Sequence, residues 1–446
     1  MEKRKILLIG GNYFPEPTGI GKYNGEMMKW LAEQGHSCTV ITTFPYYPQW
    51  KVQDPYVNQS FWFKTEWVSV KNGQPIKVIR CPHYVPKTPS GIARLISEFS
   101  FFFTAYIVIV LMLFRKKFDF VVTVAPPFEI GLLGLFYKKI RGCKFLYHIQ
   151  DLQIDAAQDL SIIKSKGIIG IFLSIERFII KYADSVSTIS AGMIEKVKGK
   201  CKREVLLFPN WVDINAFYPL TIKDELKLKY GFNPSDKIIL YSGAIGNKQG
   251  LESILYAAKR LEHQKDFKFA ICGSGPYKEN LTKLKDEMNL QNVVFLPLQP
   301  LNMFNSFLNM ADVHLVLQKA KASDLVLPSK LSTILSVGGV AIVTAQKGSS
   351  LYDIMSSTNM GIIVEPDNQE ALVAAISNIA DSQHEEKVKN ARKYAEQNLS
   401  TDKILNEFFS VVLNFRDENH NIKPVFRDVG AAMASASKKY KDRTFT

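Results

Sequence analysis

The chain has 446 residues, 46% of them hydrophobic and 22% charged, with a formal net charge of +14. That length exceeds one ordinary core, so two or three domains are expected, and the composition excludes a disordered chain. The 5 cysteines are odd in number, scattered and mostly inside apolar runs, which excludes a disulfide scaffold and points to core thiols in a reducing compartment.

The first apolar run is "ILLI" in "MEKRKILLIGG". It is shorter than a secretory core segment, so no leader is expected, and it reads as a strand at 5–10. A helical stretch at 20–34 follows, opened by Gly19 and Gly21, where glycine lets backbone N–H groups approach an anion. A second strand at 38–42 runs into "TFPYYPQW", residues 43–50. Pro45 and Pro48 forbid a helix interior or a central strand there. What remains is a stiff loop carrying Tyr46, Tyr47, Gln49 and Trp50.

Further strands read at 77–80, 120–124, 144–149, 185–189 and 204–208, with a helix at 167–182. Between them lies the longest apolar run, Phe99–Phe114, "FSFFFTAYIVIVLMLF". It is short of the roughly 20 residues that a membrane-spanning helix needs, so a buried helix is the first expectation and membrane-surface contact the second. His148 falls at the end of the strand in "YHIQD", beside Asp151; a lone histidine is more often structural, and the cleft-edge position brings a functional role level with that reading.

After a polar connector at 211–236, a second set of strands reads at 237–243, 267–273, 293–297, 313–318, 341–345 and 361–365. Apolar strands alternating with helices indicate parallel sheets covered on both faces. The expectation is α/β: two doubly wound Rossmann-like domains, 1–210 and 237–400, facing each other across a cleft. A terminal helix and a polar, flexible tail would occupy 401–446. Ligands of such sheets bind beyond the strand C-termini. Three loops there suit a nucleotide diphosphate: "YSGAIGNKQG" with Ser242, Gly243 and Lys248, "CGSGP" with Gly273 and Gly275, and "LPSKL", where Ser329 and Lys330 open a helix behind Pro328. No D-x-D, H-E-x-x-H or paired Cys/His spacing appears, so no metal is expected.

Residues 1–200 hold 26 Lys and Arg against 15 Asp and Glu, and the rest hold 30 against 27. The basic excess therefore lies in the front half and suits an anionic bilayer or a phosphorylated substrate. The basic residues are dispersed, without a zinc-finger, RNP or helix-turn-helix signature, so nucleic acid is not an expected partner.

The order "PTGIGKY…LAEQGH", "YHIQD", "VSTIS", "FPNWVD", "YSGAIG…QGLE", "CGSGP", "VVFLPL", "ADVHLVLQK" and "LPSKL…LSVGG" resembles retaining glycosyltransferases of family 4, which have the twin-Rossmann B-type fold. "TFPYYPQW", "RCPHYVPKTPS" and "YHIQD" are similar to the bacterial colanic-acid fucosyltransferase group and its exopolysaccharide relatives. The resemblance implies a GDP- or UDP-linked sugar donor, a lipid-linked glycan acceptor, no metal cofactor, and a cytoplasmic enzyme held peripherally at the inner face of the plasma membrane. It implies that Gly19 lies near the donor diphosphate and that His148 contacts the transferred sugar. Gly243 and Lys248 would lie near the diphosphate, Ser329 and Lys330 would face it from the other side, and Leu298 would lie against the base. The aromatic loop would line the acceptor side. Two departures stand out. The family's Arg and Lys in the glycine loop fall on Ala244 and Gln249, leaving Lys248 as the neighbouring cation. Its pair of glutamates falls near Leu325 and on Thr333, with Asp324 one position early; the hydroxyl of Thr333 remains able to bind ribose. A nucleotide-sugar epimerase of the same architecture and a non-catalytic partner subunit are the alternatives.

Overall fold

A computed structural model describes residues 2–16, 19–159, 165–320, 328–380 and 384–413. The chain divides into two compact units. The first holds the residues up to Ile189, Met193–Pro209 and those from Leu405; the second holds Ser190–Gly192 and Asn210–Ile404.

The first unit is built on β1 Lys5–Gly10, β2 Ser37–Thr43, β3 Lys64–Val68, β4 Ile76–Cys81, β5 Phe120–Ala125, β6 Lys144–Ile149, β7 Ser185–Thr188 and β8 Leu206–Leu207. They form one sheet in the order β3-β4-β2-β1-β5-β6-β7-β8. Only β3 runs antiparallel, against β4. The central strand β5, "FVVTVA", is buried at every position, as a strand covered on both faces must be. The sequence reading contains no strand at 64–68. "KTEWV" alternates between half-buried and exposed residues, and its pairing with β4 comes from tertiary contact with a sheet edge, which local propensity does not report.

The helices of this unit are α1 Gly19–Glu33, α2 Gly91–Met112, α3 Gly131–Arg141, α4 Gln153–Asp159, α5 Lys166–Tyr182 and α6 Ala191–Lys200, whose first residues fall in the second unit. Ser90 and Ser165 cap α2 and α5 by accepting the N–H of Ala93 and Ile168, and Gly142, in the left-handed conformation at φ 63°, ends α3. The expectation of a buried helix over 99–114 is corrected. α2 buries Phe101, Ala105, Val108, Ile109 and Met112, while Phe103, Ile107 and Leu111 on its other side stay exposed. By length and composition alone α2 is apolar enough to cross a membrane.

The second unit is an all-parallel sheet of β9 Lys237–Ser242, β10 Phe267–Cys272, β11 Val293–Leu296, β12 Val313–Val316, β13 Ala341–Thr344 and β14 Gly361–Val364, in the order β11-β10-β9-β12-β13-β14. Its helices are α7 Lys223–Lys229, α8 Glu252–Arg260, α9 Lys278–Glu287, α10 Leu301–Asn309, α11 Ser329–Ser336, α12 Ser350–Thr358, α13 Gln369–Ala380, α14 Glu385–Tyr394 and the start of α15 Thr401–Val412. Residues 211–236, expected as a connector, belong to this unit. Val212, Phe217, Leu226 and Phe232 enter its core, and Val212 pairs with Ser400. From Leu405 onward α15 belongs to the first unit, where Phe408 stacks on Phe208 at 3.8 Å. The tail expectation beyond 413 lies outside the described residues.

Candidate active site

In the first unit the loops after β1 and β2 are tied together by one carboxylate. Glu16 Oε1 accepts the backbone N–H groups of Tyr46 and Tyr47 at 3.0 and 2.9 Å, and Oε2 accepts Asn12 Nδ2 at 2.9 Å. Glu16 is 2% exposed, and burial pushes its pKa up against these bonds. This arrangement accounts for Gly21. A Cβ there would stand 2.8 Å from the Glu16 side chain, so the missing side chain makes room for a carboxylate of the protein itself, a different reason from the anion approach read in the sequence. Gly19, at φ +60°, lies with its Cβ direction 3.9 Å from the Tyr47 ring.

The aromatic loop forms a ring cluster. Trp50 meets Tyr46 and Tyr47 edge-on at 5.4 and 6.4 Å, and Tyr46 meets His83 at 4.8 Å. The guanidinium of Arg94, from α2, lies over Trp50 at 4.9 Å. Tyr47 and Gln49 are exposed, and Gln49 Oε1 accepts Gln53 Nε2 at 2.7 Å. Beneath the cluster Arg80 donates to Glu66 Oε1, Thr43 O and Phe14 O at 2.6, 3.2 and 2.9 Å and stacks on Tyr56. One arginine thus joins β3 to the loops after β1 and β2. Glu16 and Arg80 were missed in the sequence, where Arg94 reads only as a cation flanking the apolar run; an arginine inside the buried strand "KVIRC" was the available sign, since a buried charge demands partners.

Close by, Gln153 Nε2 donates to both oxygens of Glu98 at 2.8 Å, and its Oε1 accepts the N–H of Phe128 at 3.3 Å. Among the described residues neither oxygen of Glu129 meets a hydrogen-bond partner. Burial lifts Glu98 to about 7 and Glu129 to about 8, and the charge of Glu98 adds to the latter. Both carboxyls hold protons in the folded chain that an unfolded chain releases near pH 4. Their contribution to stability is therefore complete below about pH 4 and lost as pH rises through 7 to 8. The melting temperature of the wild type is expected to fall as pH rises from about 4 to about 8 and to level off above that, and Glu129→Gln should flatten that fall. Parallel curves for the two proteins would show that the pair does not titrate in this range.

His148 is buried in β6, 2% exposed, with Nδ1 2.9 Å from Ser187 Oγ and its ring 5.0 Å from Phe208. Burial holds its pKa down to about 3, so it is neutral at any working pH. Both faces of β6 are covered, from Phe145 to Ile149, so burial by itself does not separate the core from the ligand side at position 148, and the sugar contact stays an expectation.

In the second unit Lys330 is the centre. It sits in the first turn of α11, which Pro328 opens without a side-chain cap, so free N–H groups and the ammonium share one end of the helix. Its Nζ lies 4.0 Å from the Tyr241 ring centroid, and a Cβ on Gly243 would stand 3.5 Å from its Cδ. Tyr241 OH donates to Ala244 O at 2.6 Å. Burial pulls the Lys330 ammonium down to about 7, which an anionic ligand would reverse. Ser329 is exposed and Thr333 half-buried one turn further along α11; Ser242, half-buried, ends β9; Leu298 is exposed beyond β11. Asp324 lies outside the described residues.

Gly273 and Gly275 have a packing reason. Side chains there would stand 2.0 Å from Gly243 O and 2.2 Å from Ile245 O, because Gly243 N and Ile245 N bond to Cys272 O and Ser274 O. They allow the glycine loop to lie against its neighbour. Lys248 is exposed, and its carbonyl accepts the N–H of Lys319. Lys319, missed in the sequence, lies beside Gly250 and donates to Asn247 Oδ1 at 2.7 Å. It lines a cavity of about 330 Å³ with Gln249, Glu252, Thr344 and Asp367.

The two α/β units, one bearing an aromatic loop and the other a lysine at a helix N-terminus beside a glycine loop, each match a glycosyltransferase family model. The family "Glycosyl transferases group 1" matches residues 222–398, and the "Glycosyl transferase 4-like domain" matches residues 18–211. The chain is 39% identical over 414 residues to the protein of Escherichia coli (strain K12) named as the colanic acid biosynthesis glycosyl transferase WcaI, covering 91% of this chain and 99% of that one. Sucrose-phosphate synthase from Thermosynechococcus elongatus shares the fold with a TM-score of 0.71 at 17% identity, covering 92% of this chain and 98% of that one. Anabaena HepE, solved in complex with UDP, does so at 0.67 and 13%, covering 92% and 100%. The chain belongs to the group 1, family 4-like glycosyltransferases of the twin-Rossmann, B-type fold, and it is a glycosyltransferase.

Proposed function

We propose that this enzyme moves a sugar, with fucose the first candidate, from a GDP- or UDP-linked donor to a lipid-linked glycan during exopolysaccharide assembly of the colanic-acid kind. It would work in the cytoplasm, attached peripherally to the inner face of the plasma membrane. The observation that carries the donor side is Lys330, poised over Tyr241 at the open end of α11. When the glycosidic bond between the sugar carbon and the diphosphate oxygen breaks, negative charge grows on the diphosphate. A preorganised ammonium and helix N–H groups stabilise that charge. With retention, the acceptor hydroxyl oxygen bonds the sugar carbon on the face the diphosphate leaves, and the hydroxyl proton passes to the departing phosphate oxygen. No protein nucleophile is assigned. Lys330, Lys248 and the α11 N-terminus would supply the charge that a divalent metal otherwise provides.

The test is a panel of UDP- and GDP-sugars, with and without a lipid-linked acceptor, with products read by mass. Nucleoside diphosphate release that needs the acceptor and survives exhaustive chelation is the expected result. An isomerised nucleotide sugar would make the protein an epimerase, silence across the panel a non-catalytic subunit, and a strict Mg²⁺ or Mn²⁺ requirement would remove the metal-free reading.

A further inference from the structure

We propose that the outer face of α2 and α5 is the part of this chain that lies on an anionic phospholipid bilayer; this rests on the peripheral attachment proposed above and assigns it a surface. α3 lies between the two helices. Arg141 donates to Leu113 O and Arg115 O at the end of α2, and Lys138 donates to Tyr182 O at the end of α5. The three C-termini therefore meet at one end of the face. Along α2, Ile92, Ile96, Phe103, Ile107 and Leu111 are exposed, at 74, 54, 63, 49 and 62%. Their spacing places them on one side of the helix. Along α5, Ile168, Ile171, Phe178 and Tyr182 repeat the pattern. An apolar face of this extent is not left bare on a monomeric soluble protein without a use.

Charge decides what covers it. The carboxylates of these three helices are Glu98 and Glu176. Glu98 is bonded to Gln153 and Glu176 is 2% exposed and paired with Lys200, so neither marks the outer face. At the common end stand Arg115, Lys116, Lys117, Lys139, Arg177 and Lys181, all exposed. At the same end Asp119 accepts the N–H of Lys5 and Asp184 is paired with Lys138, so the cations stand in excess, and apolar stripes bordered by a cation excess fit the headgroup–acyl boundary of an anionic leaflet, with α2 lying in the plane. A partner protein surface would call for both signs at its rim.

The face also carries a shallow groove. Gly167 and Gly170 leave open space on α5: a Cβ at Gly170 would meet nothing within 4 Å. Glycine in a helix costs about 1 kcal/mol against alanine, and no neighbour here requires it. A shallow, open groove of about 590 Å³ results, lined by Leu132, Gly170, Ile171, Ser174, Ile175 and Phe178, a mostly apolar surface suited to contact with acyl chains.

The experiment is sedimentation of the full chain with vesicles of phosphatidylcholine alone and of phosphatidylcholine with phosphatidylglycerol, at low and high salt. Wild type should bind the anionic vesicles and release at high salt. Lys116→Glu with Lys117→Glu should weaken binding at least about tenfold at low salt. Phe103→Ser with Ile107→Ser and Leu111→Ser should weaken it about 10²-fold or more. Gly170→Leu fills open space and removes a helix glycine, so it should hold or raise the melting temperature while lowering binding several-fold. Wild-type binding that both the charge and the serine variants retain would overturn this face while leaving peripheral attachment standing. No wild-type binding at low salt would overturn attachment itself. A dimer in solution that the serine variant dissociates would give the face to a second copy and overturn the bilayer assignment.

Discussion

Lys330→Ala is expected to lower kcat about 10²–10³-fold, the size of effect that follows removal of one preorganised charge stabiliser. Three features converge on this residue. It shares the end of α11 with uncapped N–H groups, it touches the side of Gly243, and burial already works against its charge, pulling the ammonium down to about 7. A site that holds a cation at such a cost is set up for an anion, and a bound diphosphate would raise the pKa again by opposing charge. The substitution should do little to the melting temperature. It removes a desolvated charge whose attraction to the Tyr241 ring is worth only about 1 kcal/mol. Donor binding should show proton uptake near neutral pH in the wild type and none in Lys330→Ala. Near-normal turnover in both Lys330→Ala and Lys248→Ala would place the diphosphate elsewhere and sink the donor assignment.

Glu16→Ala should unfasten the acceptor side. It leaves the N–H groups of Tyr46 and Tyr47 and the amide of Asn12 without their acceptor, a loss of about 3–5 kcal/mol for a buried carboxylate that holds several donors. Trp50 packs on both tyrosines, so the whole ring cluster loses its anchor. The acceptor KM should rise about tenfold or more with the donor Kd unchanged, and Tyr47→Ala with Trp50→Ala should raise it likewise without the loss of stability. Glu16→Gln should recover most of both, because one amide oxygen can accept the two N–H groups and burial already disfavours the carboxylate charge. A Glu16→Ala protein that melts lower and yet keeps its acceptor KM would show that the cluster holds the fold and not the acceptor.

What the sequence determined by itself was the repeating part of the molecule. Buried parallel strands are continuous apolar runs, and β1, β2, β5, β6, β9, β10 and β13 could be placed from "KILLIG", "CTVIT" and their kin because that pattern is local. Lys330 was legible for the same reason: proline, serine and lysine at a helix start act through a few neighbouring residues. What only the tertiary structure decided depends on residues far apart in the chain. β3 exists because β4 offers an edge. Gly21 is glycine because Glu16 needs its space, and Gly273 because Gly243 O passes 2.0 Å from where a Cβ would be; in the sequence both look like any phosphate-loop glycine. The strand end at "YHIQD" was visible, but the direction of His148 into Ser187 and Phe208 follows from the pleat phase and the neighbouring strand. Which side of α2 stays exposed is set by where α3 and the sheet cover it. A run of sixteen apolar residues carries little polar contrast to mark its buried side, so that choice belongs to packing alone.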